Sequence, residues 1–399
     1  MTRHMIERSE RVFMKTYGRM AAVMVEGRGC TLVDSEGREY LDFLSGIAVC
    51  SLGHCHPAVT EAICRQAGKL VHVSNLFYTV PQTELAERLV ANSFADRVFF
   101  CNSGAEANEA AIKLARKHSA AGRYEILTLE GSFHGRTLAT VAATGQPKFH
   151  QGFEPMPAGF RSVPYGDEAA LAAAIGPATC AIMVEPLQGE GGVRPLGRDY
   201  LAAIRKLCDR HGLLLIFDEV QVGMGRTGTL FAYEQLGVRP DIMTLAKALG
   251  NGLPIGAMLA REDVAAAFVP GSHASTFGGN PVAAAAANAV LDVMLAPEFL
   301  PTVRDRGEYL AAALAGLAAK YPAIATQNRG MGLLQGLVLA PAARPHGPAM
   351  IARLFEAGIL ANFAGNTALR FVPPLIVGRA EIDRLIGELD RLFANLKVA

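Results

Sequence analysis

An aspartate and a lysine each close an apolar run: Asp218 in LLLIFDEVQ (213–221) and Lys247 in PDIMTLAK (240–247). Such runs read as buried strands of an open α/β sheet, and sheets of that kind gather their chemistry at the strands' carboxyl ends. A carboxylate and an amine delivered there together point to a shared cofactor pocket. Pyridoxal phosphate has both requirements: a lysine holds its aldehyde as a Schiff base, and an acid keeps its pyridine nitrogen protonated so that the ring can draw off carbanion electrons. Taken singly, the lysine also reads as a solvated strand end.

A third element strengthens the pair. Asn102-Ser103-Gly104-Ala105-Glu106 follows the apolar run RVFFC (97–101) and opens the helical stretch AEANEAAIKLARK (105–117). Ser103 and Glu106 have capping-box spacing. Small residues at a helix start leave backbone N–H groups free to face an anion, and the helix dipole adds to the attraction. The segment can therefore seat a phosphate, although by itself SGAE is also a good N-cap.

The elements that must position these groups alternate from about residue 97 to 260. The apolar runs RVFFC, EILTLEG, AIMVEP, LLLIFDEV, DIMTLA and GAMLA are separated by helical patterns, which predicts a mostly parallel sheet covered by helices. Upstream, VMVEGRGCTLVDSEGREYLDF (23–43) reads as short hairpin strands. Downstream, Asn280 as N-cap with Pro281 at N1 starts an Ala-rich helix. RGEYLAAALAGLAAKY and EIDRLIGELDRLFANL then read as helices, and MGLLQGLVLA and LRFVPPLIV as extended segments of a smaller α+β unit.

Composition bounds the function. The chain has 399 residues, 51% hydrophobic and 19% charged, with a formal net charge of +1. No Lys/Arg-rich block marks a nucleic-acid or anionic-membrane footprint, so small molecules are the expected partners. Seven cysteines, without a compact framework, fit reduced thiols in a cytoplasmic chain. Cys50, His54, Cys55 and His56 cluster, but no second ligand pair with finger or ribbon spacing follows, and no metal is expected. The N-terminus lacks an apolar core of the secretory kind, and the longest apolar stretch (281–296) is interrupted by Asn288 and Asp292, so no membrane span is expected.

One motif points to a different enzyme class. Gly223-Met224-Gly225-Arg226-Thr227-Gly228 matches GxGxxG, and Asp241 lies near the spacing of a ribose-binding acid, as in a nicotinamide-dependent oxidoreductase. DEVQV intervenes between strand and glycines, however, and TGTLFAYEQLGVRPD is too short and too broken by Gly and Pro for the crossover helix that motif requires.

The motifs together resemble the class III (subgroup II) pyridoxal-phosphate-dependent aminotransferases of fold type I, and among them the branch that acts on N-acetyl-L-ornithine. The resemblance runs nearly end to end, through YLDFLSGIAVCSLGHCHPAV, SNLFYTVPQTELAERL, CNSGAEANEAAIKLARK, GSFHGRT, VEPLQGEGGV, DEVQVGMGRTG, PDIMTLAKALGNGLPIGA, STFGGNP and LRFVPPL. It implies an α/β fold with a mostly parallel central sheet. Residues 1–45 would join a small domain, 46–280 would form the large cofactor-binding domain, and 281–399 would form the bridging helix and C-terminal small domain.

The resemblance also implies roles. Lys247 would hold the cofactor and move protons, Asp218 would meet the pyridinium nitrogen, and Gln221 the ring's phenolic oxygen. Phe133 and Val220 would flank the ring, while Ser103, Gly104 and Ala105 would seat the phosphate. Thr276 would reach that phosphate from the other subunit of a homodimer. Arg136, Ser275 and Tyr17 would bind substrate, and Arg370 would take the α-carboxylate of glutamate or 2-oxoglutarate. Glu190 would neutralise Arg370 while the amine donor is bound and swing away when the dicarboxylate arrives. Near the N-terminus the pattern departs from the family: Met20 stands in place of the common aromatic, and Ala21 in place of a proline. Ornithine, succinylornithine, succinyl-diaminopimelate, acetyllysine and 4-aminobutyrate therefore stay open as donors, as does a cofactor-binding protein without turnover.

Overall fold

In a computed structural model of the chain, residues 2–397 are described. Its centre is a seven-stranded sheet in the order Arg97–Cys101, Gly256–Ala260, Ile242–Leu245, Leu214–Asp218, Thr179–Val184, Glu125–Leu129, Phe160–Val163. Leu214–Asp218 runs parallel to both of its neighbours, whereas Gly256–Ala260 is antiparallel to the strands on either side. All residues of the four strands from Gly256–Ala260 to Thr179–Val184 are buried.

Alternation along these strands decides what covers them, because successive side chains point to opposite faces. Leu214 and Ile216 join the cluster formed with Ala110, Ala111 and Leu114 of the helix Gly104–His118. Leu215 and Phe217 join the cluster that includes Leu201, Ile204 and Leu207 of the helix Arg198–His211 on the other side. Truncating one such side chain, as in Phe217→Ala, would cost about 3–5 kcal/mol.

Two four-stranded sheets and a two-stranded ribbon, Leu187–Gln188 with Arg194–Pro195, complete the fold among the described residues. Met24–Arg28, Thr31–Asp34 and Glu39–Asp42 form an antiparallel meander, as the Gly-punctuated runs predict. Ile359–Leu360 then pairs in parallel with Glu39–Asp42, setting Ile359 opposite Leu41. The second sheet is antiparallel, in the order Ala325–Met331, Leu334–Leu339, Ala368–Phe371, Asn362–Ala364. The helix Pro281–Met294 starts as predicted, with the Asn280 side chain accepting from the Ala283 N–H at 3.0 Å. Arg226 is 0% exposed and ties three regions together. It donates to the carbonyls of Leu333 and Pro373 and to the Ser51 hydroxyl.

Two expectations need correction. The βα alternation stops after Ile242–Leu245, where a turn of 3₁₀ helix (Lys247–Leu249) leads straight into the antiparallel Gly256–Ala260. The edge strand Phe160–Val163 carries no long apolar run and was not expected, since only Val163 in it is buried. Among the described residues no single helix is long and apolar enough to cross a membrane.

Candidate active site

The carboxyl ends of the central strands open onto a cavity of about 380 Å³ lined by Asp218, Lys247, Glu185, Glu190, Gln221 and Phe133, among others. The sheet brings the first two together as the sequence predicts: Asp218 ends its own strand, and Lys247 stands two residues past Leu245. Lys247 has φ +46°, a left-handed conformation that costs a non-glycine residue on the order of 1–3 kcal/mol and persists where the surroundings enforce it. Burial lowers the pKa of its amine, and Arg370 adds to the effect, against the opposing pull of Glu190, Asp218 and Glu185. The result is an amine that loses its proton more readily than a free lysine.

Asp218 is held by a network that sequence reasoning missed. Its Oδ2 accepts from Asn108 Nδ2 at 2.8 Å and pairs with His134 Nδ1 at 2.8 Å, while its Oδ1 accepts the Val220 N–H. Asn108 is itself fixed by the Thr244 hydroxyl, which donates to Oδ1 at 2.7 Å. His134 Nε2 is buried without a partner among the described residues. The one sequence signal for Asn108 was a lone amide within an Ala-rich helix face. Glu185, also missed, is a buried carboxyl whose Oε1 accepts the Phe133 N–H at 2.8 Å. Burial, and then the charge of Asp218, raise its pKa well above the carboxylate range.

At the other end of the cavity the helix Gly104–His118 begins. Its cap differs by one residue from a standard capping box. Ser103 Oγ accepts the Glu106 N–H as expected, but Glu106 Oε2 reaches back to the Asn102 N–H at 2.6 Å. Gly104 and Ala105 line the cavity, and in the first turn their N–H groups have no intrahelical acceptor. Gly104 is required there, since a Cβ would lie 2.7 Å from Val220 Cγ1. Gly135, at φ +142°, lets the Phe133–Arg136 loop approach this helix, where a Cβ would meet the Ala105 Cβ at 2.9 Å.

The charged residues fall into two groups. Arg370, 0% exposed, donates Nη1 to Glu190 Oε1 at 2.5 Å and to Gln221 Oε1 at 3.0 Å, and Nε to Asn362 Oδ1. Its Nη2 is buried with no partner among the described residues. Burial raises the Glu190 pKa, but the charge and hydrogen bond of Arg370 outweigh it and hold the carboxyl below its ordinary range. Arg136 is exposed and unpaired among the described residues, its guanidinium 4.2 Å from the Phe149 ring centroid and 5.5 Å from that of Phe133.

Four expected site residues lie outside this lining, and one of them, Arg370, connects to it through Glu190 and Gln221. Ser275 is adjacent, accepting from Asn102 Nδ2 at 3.3 Å. Thr276 lines a separate shallow recess with His72, Asn75 and Gln82. Tyr17 is 73% exposed, beneath Arg19. The rival GxGxxG reading loses its acid. Asp241 sits at the amino end of its strand, where Oδ2 accepts the Leu215 N–H and pairs with Arg205.

The arrangement brings a carboxylate, a primary amine and a helix N-terminus to one cavity that Phe133 and Val220 also line. Comparison with known proteins agrees in kind. A curated acetylornithine aminotransferase from Thermosynechococcus vestitus is 53% identical over 397 residues, covering 97% of this chain and 96% of its own length. The crystal structure of N-acetylornithine aminotransferase from Stenotrophomonas maltophilia is 40% identical, with a TM-score of 0.83 over 98% of this chain and 100% of its own. Ornithine aminotransferase from Toxoplasma gondii is 33% identical, with a TM-score of 0.93 over 99% of this chain and 95% of its own. The family model for aminotransferase class-III matches residues 12–393. With that span and those likenesses the chain belongs to the class-III aminotransferases.

Proposed function

We propose that this aminotransferase uses pyridoxal phosphate to move the δ-amino group of N-acetyl-L-ornithine to 2-oxoglutarate, giving N-acetyl-L-glutamate 5-semialdehyde and L-glutamate. Run in the opposite direction, this is a step of arginine biosynthesis, carried out in the cytoplasm. The observation that carries the reading is Arg370, buried and closed by Glu190, beside the strained Lys247. An enzyme that takes an ω-amine and a dicarboxylate in turn at one site needs a cation it can cover and uncover. The preference for the N-acetylated donor rests on the full-length likeness to a protein that bears that name.

The residues fit the cofactor. A carboxylate with organised donors stands at one end of the cavity, free helix N–H groups at the other, and a primary amine between them. When bound, the group supplies an aldehyde that condenses with amines and a ring that accepts electrons. The chain's own work is then proton and charge management. Lys247 Nζ, with its lowered pKa, takes the proton from the donor's δ-carbon. Asp218, fixed by Asn108 and His134, would hold the ring nitrogen, and Gln221, now bonded to Glu190, would hold the ring oxygen. Arg136 clamps the donor carboxylate with its planar fork. Arg370 takes the α-carboxylate of 2-oxoglutarate when Glu190 withdraws.

A homodimer belongs to the same reading. Leu76, Phe77, Tyr78 and Val80 are 66–100% exposed, and Phe277 beside Thr276 is 60% exposed. An apolar surface of that kind is what a second subunit covers. Thr276, which lines a recess separate from its own chain's cavity, would then serve the partner's phosphate. The small domain would be assembled from residues 1–45 and 281–399, around the large domain of 46–280.

Rapid mixing of the holoenzyme with N-acetyl-L-ornithine, without keto acid, tests the assignment. Stoichiometric semialdehyde release, with fast loss of the bound cofactor's visible absorbance, is expected from this amine ahead of ornithine, succinylornithine and 4-aminobutyrate. Faster conversion by one of the others moves the enzyme to another pathway, and no conversion by any of them ends the catalytic reading.

A further inference from the structure

A second cleft, of about 550 Å³, gathers cations with no carboxylate to answer them. It lies between Gly145–Lys148, the segment following Glu190, and the turn that joins Asn362–Ala364 to Ala368–Phe371. Lys148, Arg194 and Arg329 line it together with Gln146, Asn366 and Thr367, and no aspartate or glutamate does. Among the described residues none of the three cations enters an ion pair.

Each cation is held by something other than an acid. The Arg194 guanidinium lies 3.7 Å from the Tyr165 ring centroid, and Lys148 Nζ 4.8 Å from that of Phe149. Arg329 donates Nε and Nη2 to the Gly192 carbonyl at 3.1 and 2.6 Å. Burial, and then the like charge of Arg194, hold the Arg329 pKa below the usual arginine range. Thr367 Oγ1 is buried here without a partner among the described residues. A larger cavity of about 650 Å³, at the amino ends of Leu214–Asp218 and Ile242–Leu245, makes a useful contrast. Its Arg205 and Arg261 are committed to Asp241, and Arg205 to Asp209 as well.

We propose that the cleft formed by Lys148, Arg194 and Arg329 binds a small polyvalent oxyanion, a phosphate- or carboxylate-bearing metabolite with two or more negative charges. Three unanswered cations lining one cleft repel one another, and an occupant with several charges reverses that cost. The arginine forks and the Thr367 hydroxyl supply directional donors for its oxygens. The occupant also touches the gate. Arg329 grips Gly192, two residues beyond Glu190, so an anion that redirects this guanidinium alters the freedom of the Glu190 segment. That last consequence rests on the function proposed above, whereas the binding does not.

Calorimetric titration of the holoenzyme with pyrophosphate, at constant ionic strength, tests the site. Wild type should show one saturable site per chain, and the double variant Lys148→Gln/Arg194→Gln should weaken it at least tenfold, the size expected for lost hydrogen bonds to charged groups. Arg136→Gln, altered at the main cavity, should bind as wild type does. No saturable heat in wild type, equal binding by the double variant, or loss in Arg136→Gln instead overturns the proposal. A parallel citrate titration distinguishes the sources, the tighter of the two probes naming phosphate or carboxylate. Neither Lys148 nor Arg194 makes a side-chain hydrogen bond among the described residues, so the substitutions leave the fold's polar network intact. Turnover of the amine on the same preparations is a separate readout. A failed titration with turnover present rejects only the cleft, and absent turnover with binding present rejects only the functional reading.

Discussion

Arg370 and Glu190 meet at 2.5 Å, yet the arginine side chain is 0% exposed while the glutamate side chain remains 31% exposed. The pair is therefore asymmetric: one partner is enclosed in the β-sheet core and the other still meets solvent. Removing Glu190 leaves a buried cation uncovered, a change of about 3–5 kcal/mol when a buried pair is broken.

Glu190→Ala should slow the half-reaction of the ω-amine donor by at least about tenfold, in line with a lost charge-assisted bond. The dicarboxylate half-reaction should be much less affected, because its substrate brings its own carboxylate to Arg370. Single-turnover traces for the two halves make the comparison, and equal losses would reject the gate.

Lys247 carries a second prediction, which can be read without cofactor. Acylation of the cofactor-free protein as a function of pH should reveal one amine titrating below the ordinary lysine value of about 10.4. Burial, aided by Arg370, lowers it, while Glu190 opposes the shift. The titration should therefore move further down in Glu190→Gln. A shift upward in that variant would contradict the charge arrangement. Lys247→Ala should remove the signal and reduce turnover by roughly 10²–10⁴-fold.

His134→Ala tests the support of Asp218. Losing the 2.8 Å contact to Oδ2 should weaken cofactor retention about 10- to 150-fold, the range for one hydrogen bond to a charged group. Equilibrium dialysis gives the affinity. Unchanged retention would show that Asn108 alone is sufficient to hold the carboxylate.

Glu219 gives a pH prediction for stability. Burial pushes its pKa up to about 8, although the N–H groups of Ala232 and Tyr233 donate to it. The folded state then binds a proton that the unfolded chain, near 4.3, has lost. Its contribution to stability is therefore fully present below about pH 4 and declines as pH rises through about 8. Thermal melts of Glu219→Gln should show a shallower decline across that window. Parallel curves for variant and wild type would reject the assignment.

Much of the site was legible because strand ends announce themselves. Asp218 and Lys247 each follow an apolar run that could only be a buried strand, and the Ser103-Gly104 helix start had a cap signature. What sequence could not reveal was set by packing across the chain. Nothing near Asn108 or His134 says that both converge on Asp218, since their contacts span 110 and 84 residues. The edge strand Phe160–Val163 was hidden because half-exposed edges need no continuous apolar run. The antiparallel turn at Gly256–Ala260 was hidden because an apolar run carries no direction.

The pairing of Glu39–Asp42 with Ile359–Leu360 reaches beyond the finished fold. The first sheet to leave the ribosome cannot close its last edge until nearly the whole chain has been made. Pairing of such remote segments is slow, because chain-closure entropy is lost before any contact repays it. During synthesis Glu39–Asp42 therefore presents an open strand edge to its surroundings, and that interval is when the nascent chain is most exposed to mispairing with another strand and most in need of a chaperone.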